Sequence, residues 1–140
     1  MSRFRFSLDR VLEIRSSQER AAAAAFATAN SRLSASGERL DGLLDDLRSV
    51  RQSLSEGGLD PGMAVSLESG LRVAIVRTVR EKDQRRGDAD RCRTLWMEAR
   101  RQKELLEKLR KTRLDEFVAV EQRVLDADLD EWAVQRHVRS

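Results

Sequence analysis

The chain has 140 residues, 36% of them charged and 4% aromatic, with one proline and a net charge of +3. That composition leaves little bulk for a globular core and few breakers for many short elements, so long solvated helices are expected. No run approaches 18 uncharged apolar residues, the opening MSRFRFSLDR has no apolar leader core, and the lone Cys92 excludes an internal disulfide. A cytosolic protein of the reducing compartment is the expectation.

The first helix is expected over about residues 4–56. Phe26, Leu33, Leu40, Leu47 and Leu54 recur every seven residues, a period that keeps one seam facing a partner helix. With these at heptad position a, together with Leu12 and Glu19, position d falls on Leu8, Arg15, Ala22, Ala29, Ser36, Leu43 and Val50. Only Arg15, Glu19 and Ser36 in that seam are polar. The run Ala21 to Ala25 combines the best helix former with side chains small enough for close approach of another helix. Bulk from Leu95 and Trp96 is expected opposite it.

The clear punctuation is SEGGLDPGM. Gly57 and Gly58 suit the left-handed residue that closes a helix, Asp60 suits an N-cap, and Pro61 suits the first position of the next helix. A turn over about 57–61 thus joins the first helix to a second over about 62–138. Its seam reads Leu71, Ile75, Thr78 and Val79, then a polar stretch, then Ala89, Cys92, Trp96 and Ala99, then Leu106, Leu109, Leu114, Phe117, Val120 and Val124. The spacing drifts between 102 and 114, which marks a stutter.

A turn this short makes the helices antiparallel neighbours, so the fold class is all-α: an antiparallel coiled-coil hairpin forming one domain, residues 1–140, with a longer second helix. Paired residue numbers should add to about 118, placing Leu54 near Ala64, Phe26 near Cys92 and Phe4 near Leu114. The second helix then outruns the first by about 25 residues, or ~35–40 Å. That C-terminal overhang carries Phe117, Val120, Val124, Leu125, Leu129 and Trp132, an apolar stripe of the kind that marks a protein interface.

Charge is segregated along the chain. Residues 1–71 hold 9 basic and 10 acidic side chains, residues 72–113 hold 15 and 7, and residues 114–140 hold 3 and 7. The basic block has interleaved acids and no aromatic stacking array, which favours an ordinary charged face over a nucleic-acid site, and a basic face meeting an acidic protein surface explains it equally well. No catalytic constellation is present. His137 stands between arginines near the end, Cys92 falls on the seam, and neighbouring acids such as Asp45 and Asp46 point in different directions on a helix. There is no glycine-rich phosphate loop and no metal-ligand spacing, so neither enzyme activity nor a cofactor is expected.

The two ends suggest a family. Phe4, Phe6, Leu8, Val11, Leu12 and Arg15 in FRFSLDRVLEIR, and Leu129, Asp130, Glu131 and Trp132 in ADLDEWAVQRHVR, resemble the terminal patterns of the flagellar FliJ proteins. Overall length, the single glycine-containing turn and the longer second helix agree with that resemblance. It implies a non-enzymatic stalk of the flagellar type III export apparatus, similar to the two-helix stalk of a rotary ATPase. The implied partners are the hexameric export ATPase, the export gate membrane protein and export chaperones, with no nucleic acid and no direct membrane insertion. The implied location is the cytoplasm, at the inner face of the membrane at the flagellar base, and the implied state is a monomeric hairpin.

On that reading Phe4, Phe6, Arg10, Phe117, Trp132 and Arg136 lie toward the ATPase-facing end, and Leu71, Ile75 and Val79 toward the gate. Three other readings stay open: the equivalent stalk of a virulence-type secretion system, a basic nucleic-acid-associated coiled coil, and a homodimeric scaffold.

Overall fold

The structure is a computed structural model and describes residues 3–139. Two helices, α1 (Asp9–Ser55) and α2 (Pro61–Arg139), account for the regular structure, with no strand among the described residues. They pack against each other as an antiparallel hairpin with a longer second helix.

The turn follows from its residues. Gly57 has φ +75°, and its N–H donates to the Leu54 carbonyl at 3.2 Å while the Gly58 N–H donates to Ser53 at 2.9 Å. These are the two bonds that satisfy orphan carbonyls at a helix end closed by a left-handed glycine. Asp60 then caps α2: its Oδ2 accepts from the Met63 N–H at 3.1 Å and its carbonyl from Ala64 at 2.9 Å. Pro61 opens the helix where no N–H is required.

The heptad reading of α1 holds in detail. All the expected seam positions from Leu8 to Val50 are buried or half-buried, polar Arg15, Glu19 and Ser36 included, and only Leu54 at the turn is exposed. On α2 the covered positions step by alternating fours and threes from Ala64 to Arg110. Two consecutive steps of four, Leu106 to Arg110 to Leu114, then shift the phase before Phe117 and Glu121. This is the stutter, located. The polar stretch after Thr78 stays in register: Lys82 and Arg85 occupy seam positions, and Lys82 Cε lies within van der Waals reach of where a side chain on Gly37 would begin. Long basic side chains can line a seam with their methylenes while the charge reaches water.

The packing divides into two compact units, Arg20–Met97 and Met1–Glu19 with Glu98–Ser140. In the unit Arg20–Met97 the buried residues are Ala29, Ser36, Ala64, Thr78 and Ala89, all small. Close helix approach follows, with larger side chains held half-exposed at the flanks. Opposite the polyalanine run Trp96 is half-buried against Phe26, ring centroids 5.7 Å apart, but Leu95 points to solvent. Arg51 with Glu68 and Arg39 with Glu81, at 3.0 and 2.8 Å, bridge the two helices.

In the unit Met1–Glu19 with Glu98–Ser140, Arg110 bridges to Asp9 at 3.0 Å and Lys103 to Glu19 at 4.0 Å. Here the structure corrects the expected start of the first helix. Helix begins at Asp9, not near residue 4, and Arg3–Leu8 runs outside it with alternating exposure, Phe4 and Phe6 inward, Arg3 and Arg5 outward. Aromatics two apart lie on nearly opposite sides of a helix, so covering both against α2 requires a non-helical strap.

Two offsets from the expected register share a physical cause. Phe26 packs its ring on Trp96, four residues beyond Cys92, and Phe4 on Phe117, three residues beyond Leu114. Helical side chains lean toward their own N-terminus, away from the turn on α1 and toward it on α2, so an α1 side chain meets an α2 residue whose backbone lies further from the turn than its own. A strap also advances ~3.3 Å per residue against 1.5 Å for helix. Coverage of α2 therefore extends to Glu121, and the uncovered overhang begins beyond it, later than expected.

Candidate functional site

The strap builds an aromatic end in the unit Met1–Glu19 with Glu98–Ser140. Phe6 is buried at 7% exposure, and Phe4 stacks on Phe117 with centroids 5.5 Å apart and planes tilted by 55°. The tilted arrangement sets the edge of one ring toward the face of the other, as aromatic quadrupoles prefer. Arg110 completes the cluster: its guanidinium sits 5.5 Å from the Phe4 centroid while Nε donates to Asp9 Oδ1 at 3.0 Å. One arginine thus ties the first residue of α1 to the strap aromatic. A shallow groove runs along this end, bordered by Arg3, Arg5, Phe6, Leu109, Arg113 and Phe117 among others.

The six residues grouped at the sequence level fall into separate places. Phe4, Phe6 and Phe117 come together; Trp132 and Arg136 form a second pair, the guanidinium 5.2 Å from the indole centroid, one helical turn apart on the overhang. Fifteen residues of helix, about 22 Å, separate Phe117 from Trp132. Arg10 is exposed on the first turn of α1. Phe117, expected in the unpartnered stripe, is half-buried under Phe4, whereas Val120, Val124, Leu125, Leu129 and Trp132 are exposed.

Sequence reasoning passed over Asp9 and Arg110. Their numbers add to 119, close to the hairpin register, and their charges are opposite, so the signal lay in the pairing rule applied to charges.

In the unit Arg20–Met97, Leu71 and Ile75 are half-buried in the seam and Val79 lies beside it at 40% exposure. The exposed apolar residues of this stretch are Val73 and Val76, on the outer face of α2, in a groove lined also by Arg72, Arg77, Arg80 and Gln84. At its edge Glu68 Oε1 accepts from Arg51 and from Arg72, each Nη2 at 3.0 Å. Those hydrogen bonds, Arg51 first and Arg72 second, hold the Glu68 carboxyl below its ordinary range against a smaller opposing effect of burial.

Among the described residues no group of histidine, cysteine, aspartate and glutamate has metal-binding geometry, and no helix is long and apolar enough to cross a membrane. What the surfaces offer is docking: an aromatic end with basic borders, an exposed overhang of apolar and mixed-charge side chains, and a basic and apolar outer stripe on α2. The family described as flagellar FliJ protein matches residues 4–140. No curated protein and no solved structure matches the chain.

Proposed function

The chain belongs to the flagellar FliJ family and is a component of the flagellar protein export apparatus, and from that premise we propose that it is a non-enzymatic stalk that binds and stimulates the hexameric export ATPase. The ATPase-facing surface in this reading is the end carrying the strap and the overhang. The observation that carries it is the apolar surface beyond Glu121, where Leu129 and Trp132 stand more than half exposed on a helix that no other described part of the chain covers. Surface of that kind on a chain this rich in charge is a feature of interaction sites. Phe4, Phe6 and Phe117 shape the base of the surface, and Arg10, Trp132 and Arg136 contribute to its contact face.

The test is co-purification with the export ATPase and its hydrolysis rate with and without the protein. Retention of this chain and faster hydrolysis are expected. Trp132→Ala with Arg136→Ala should reduce both, and undiminished binding by that variant with an unaltered circular dichroism spectrum would overturn the assignment of the surface.

A second surface faces the membrane export gate in the same reading. Leu71, Ile75 and Val79 underlie it, and the side chains available for contact are Val73 and Val76 flanked by Arg72, Arg77 and Arg80. Photocrosslinking from position 76 should capture the gate protein. Capture of this chain's own α1 alone would refute the assignment. Escort of unladen export chaperones belongs to the same reading and is tested by retention of a chaperone on the immobilised protein.

A further inference from the structure

One stretch of the seam in the unit Arg20–Met97 covers almost nothing large. Between Ile75 and Trp96, about 30 Å of α2, the seam positions hold Thr78, Lys82, Arg85, Ala89 and Cys92. The larger apolar residues of that stretch, Val76, Val79 and Leu95, are from 40% to 66% exposed. On α1 the facing seam positions between Phe26 and Leu40 are Ala29, Leu33 and Ser36, of which Leu33 alone is large and apolar. Either side of the stretch is apolar again. Phe26 packs on Trp96 at one end, and toward the turn Leu40, Leu43 and Leu47 are half-buried, as are Leu71 and Ile75.

The polar contacts of the stretch do not make up the difference. The Thr78 hydroxyl donates to the Ala74 carbonyl of its own helix at 2.8 Å, so this buried group does not tie α2 to α1. Arg39 bridges to Glu81 at 2.8 Å, but the two side chains are 55% and 32% exposed, and ion pairs so open to water add little. Gly37 and Gly87 both lie here, and each weakens the helix that contains it. Long helices in water are held chiefly by apolar side chains packed against a neighbour, so this stretch is held less firmly than its flanks.

We propose that residues 29–40 of α1 and 78–92 of α2 form a compliant joint, where the helices part and reclose while the hairpin on both sides of it stays packed. The joint lets the turn end tilt against the Phe26–Trp96 end without the whole unit coming apart. The inference follows from packing within this unit and stands apart from the identity of any partner.

The experiment is native-state amide hydrogen exchange of the full-length chain, resolved along the sequence by mass spectrometry. In wild type, residues 29–40 and 78–92 should exchange about tenfold faster than 20–26 with 94–97 on one side and 43–50 with 68–75 on the other. Lys82→Leu with Arg85→Leu supplies the apolar side chains that the seam lacks, and it should slow exchange in the joint by about tenfold. Leu47→Ala weakens a flank, and it should speed exchange in 43–50 and 68–75 while leaving the joint within about threefold of wild type, because separate openings do not share the loss. Exchange in the joint as slow as on either side of it would overturn the proposal, and the wild-type profile decides this without any substitution. A joint that speeds up in step with its flank in Leu47→Ala would overturn separate opening, the helices then coming apart as one. An unchanged rate in the leucine variant would overturn the seam's composition as the cause of the joint.

Discussion

Phe6→Ala tests whether the N-terminal strap is a separately held element. Phe6 is 7% exposed, so its ring is almost wholly withdrawn from water. Fully burying a phenylalanine side chain is worth about 1.5–3 kcal/mol, and truncation to alanine keeps only the Cβ. The site is open toward solvent at the strap, so water refills the space and little cavity penalty is added. A loss of about 2 kcal/mol corresponds to roughly a 30-fold rise in the open-to-closed ratio of the strap.

Limited trypsin digestion reads that ratio, because cleavage of a transiently opened segment tracks the open population when reclosing is fast. Mass spectrometry of the bonds after Arg3 and Arg5 should show cleavage about 30-fold faster in the variant. Phe4→Ala, which removes a half-buried ring, should accelerate it less. The thermal midpoint of the helical signal should stay nearly constant, since the expected seam of α1 from Leu12 onward is untouched. A change in cleavage below threefold would refute the burial argument. A midpoint that falls in step with cleavage would show that the strap and the helices open together.

Gly57→Ala should cost about 1–2 kcal/mol in chemical denaturation, because φ +75° is strained for any residue with a Cβ although space is free around it. Ser36→Leu should cost ~1–3 kcal/mol, since the site is 2% exposed in a seam of small residues and has no room for a larger side chain. In a double-mutant cycle on Asp9 and Arg110, both about half exposed, the coupling should be ~0.2–1 kcal/mol. Arg110→Ala alone should cost more than Asp9→Ala because it also removes the cation over Phe4. For Glu68→Gln the expectation is a pH signature. The folded-state pKa lies below the ordinary 4.5, so the stabilisation is full above that value and disappears as pH falls through the lowered one. The difference in thermal midpoint between wild type and variant should therefore be present at pH 7 and shrink below pH ~4.5; a difference constant from pH 7 to pH 3 would show that the carboxylate's charge is not what matters.

The heptads of α1 were legible because a seven-residue period has one physical use, and they located even the polar layers. Ser36 looked like an interruption and is among the most deeply buried residues, since a seam that approaches closely selects for size before polarity. The turn was legible residue by residue for the same reason: left-handed glycine, capping aspartate and first-turn proline each satisfy a stated backbone need. The strap was misread because leucines at helical spacing follow it at once, and the alternation of Arg3, Phe4, Arg5 and Phe6 was not weighed as a competing period. On α2 the inner face could not be separated from the outer by composition, because leucine occupies both: Leu71 and Leu106 are half-buried, Leu67 and Leu105 exposed. Leu71 and Ile75 went to the seam while Val73 and Val76 stayed outside, a distinction that rests on phase alone.

Charge segregation along α2 bears on which surfaces remain available. On one helix a side chain reaches neighbours three or four positions away and no further. The ion pairs within α2 obey that limit: Arg72 with Glu68, Arg100 with Glu104, Lys103 with Glu107 and Arg113 with Glu116. A helix that gathers 15 basic and 7 acidic side chains over 72–113, then 3 and 7 over 114–140, can therefore pair its two excesses only where the blocks meet, as Arg113 does with Glu116. Pairing across the hairpin relieves part of the basic excess, as Asp9 does for Arg110 and Glu19 for Lys103. Beyond Glu121 no described residue of α1 or the strap covers the helix. The charged side chains there, four acidic and three basic, stay exposed to solvent beside apolar ones, so association through this end should be governed by charge and shape together and should be sensitive to ionic strength.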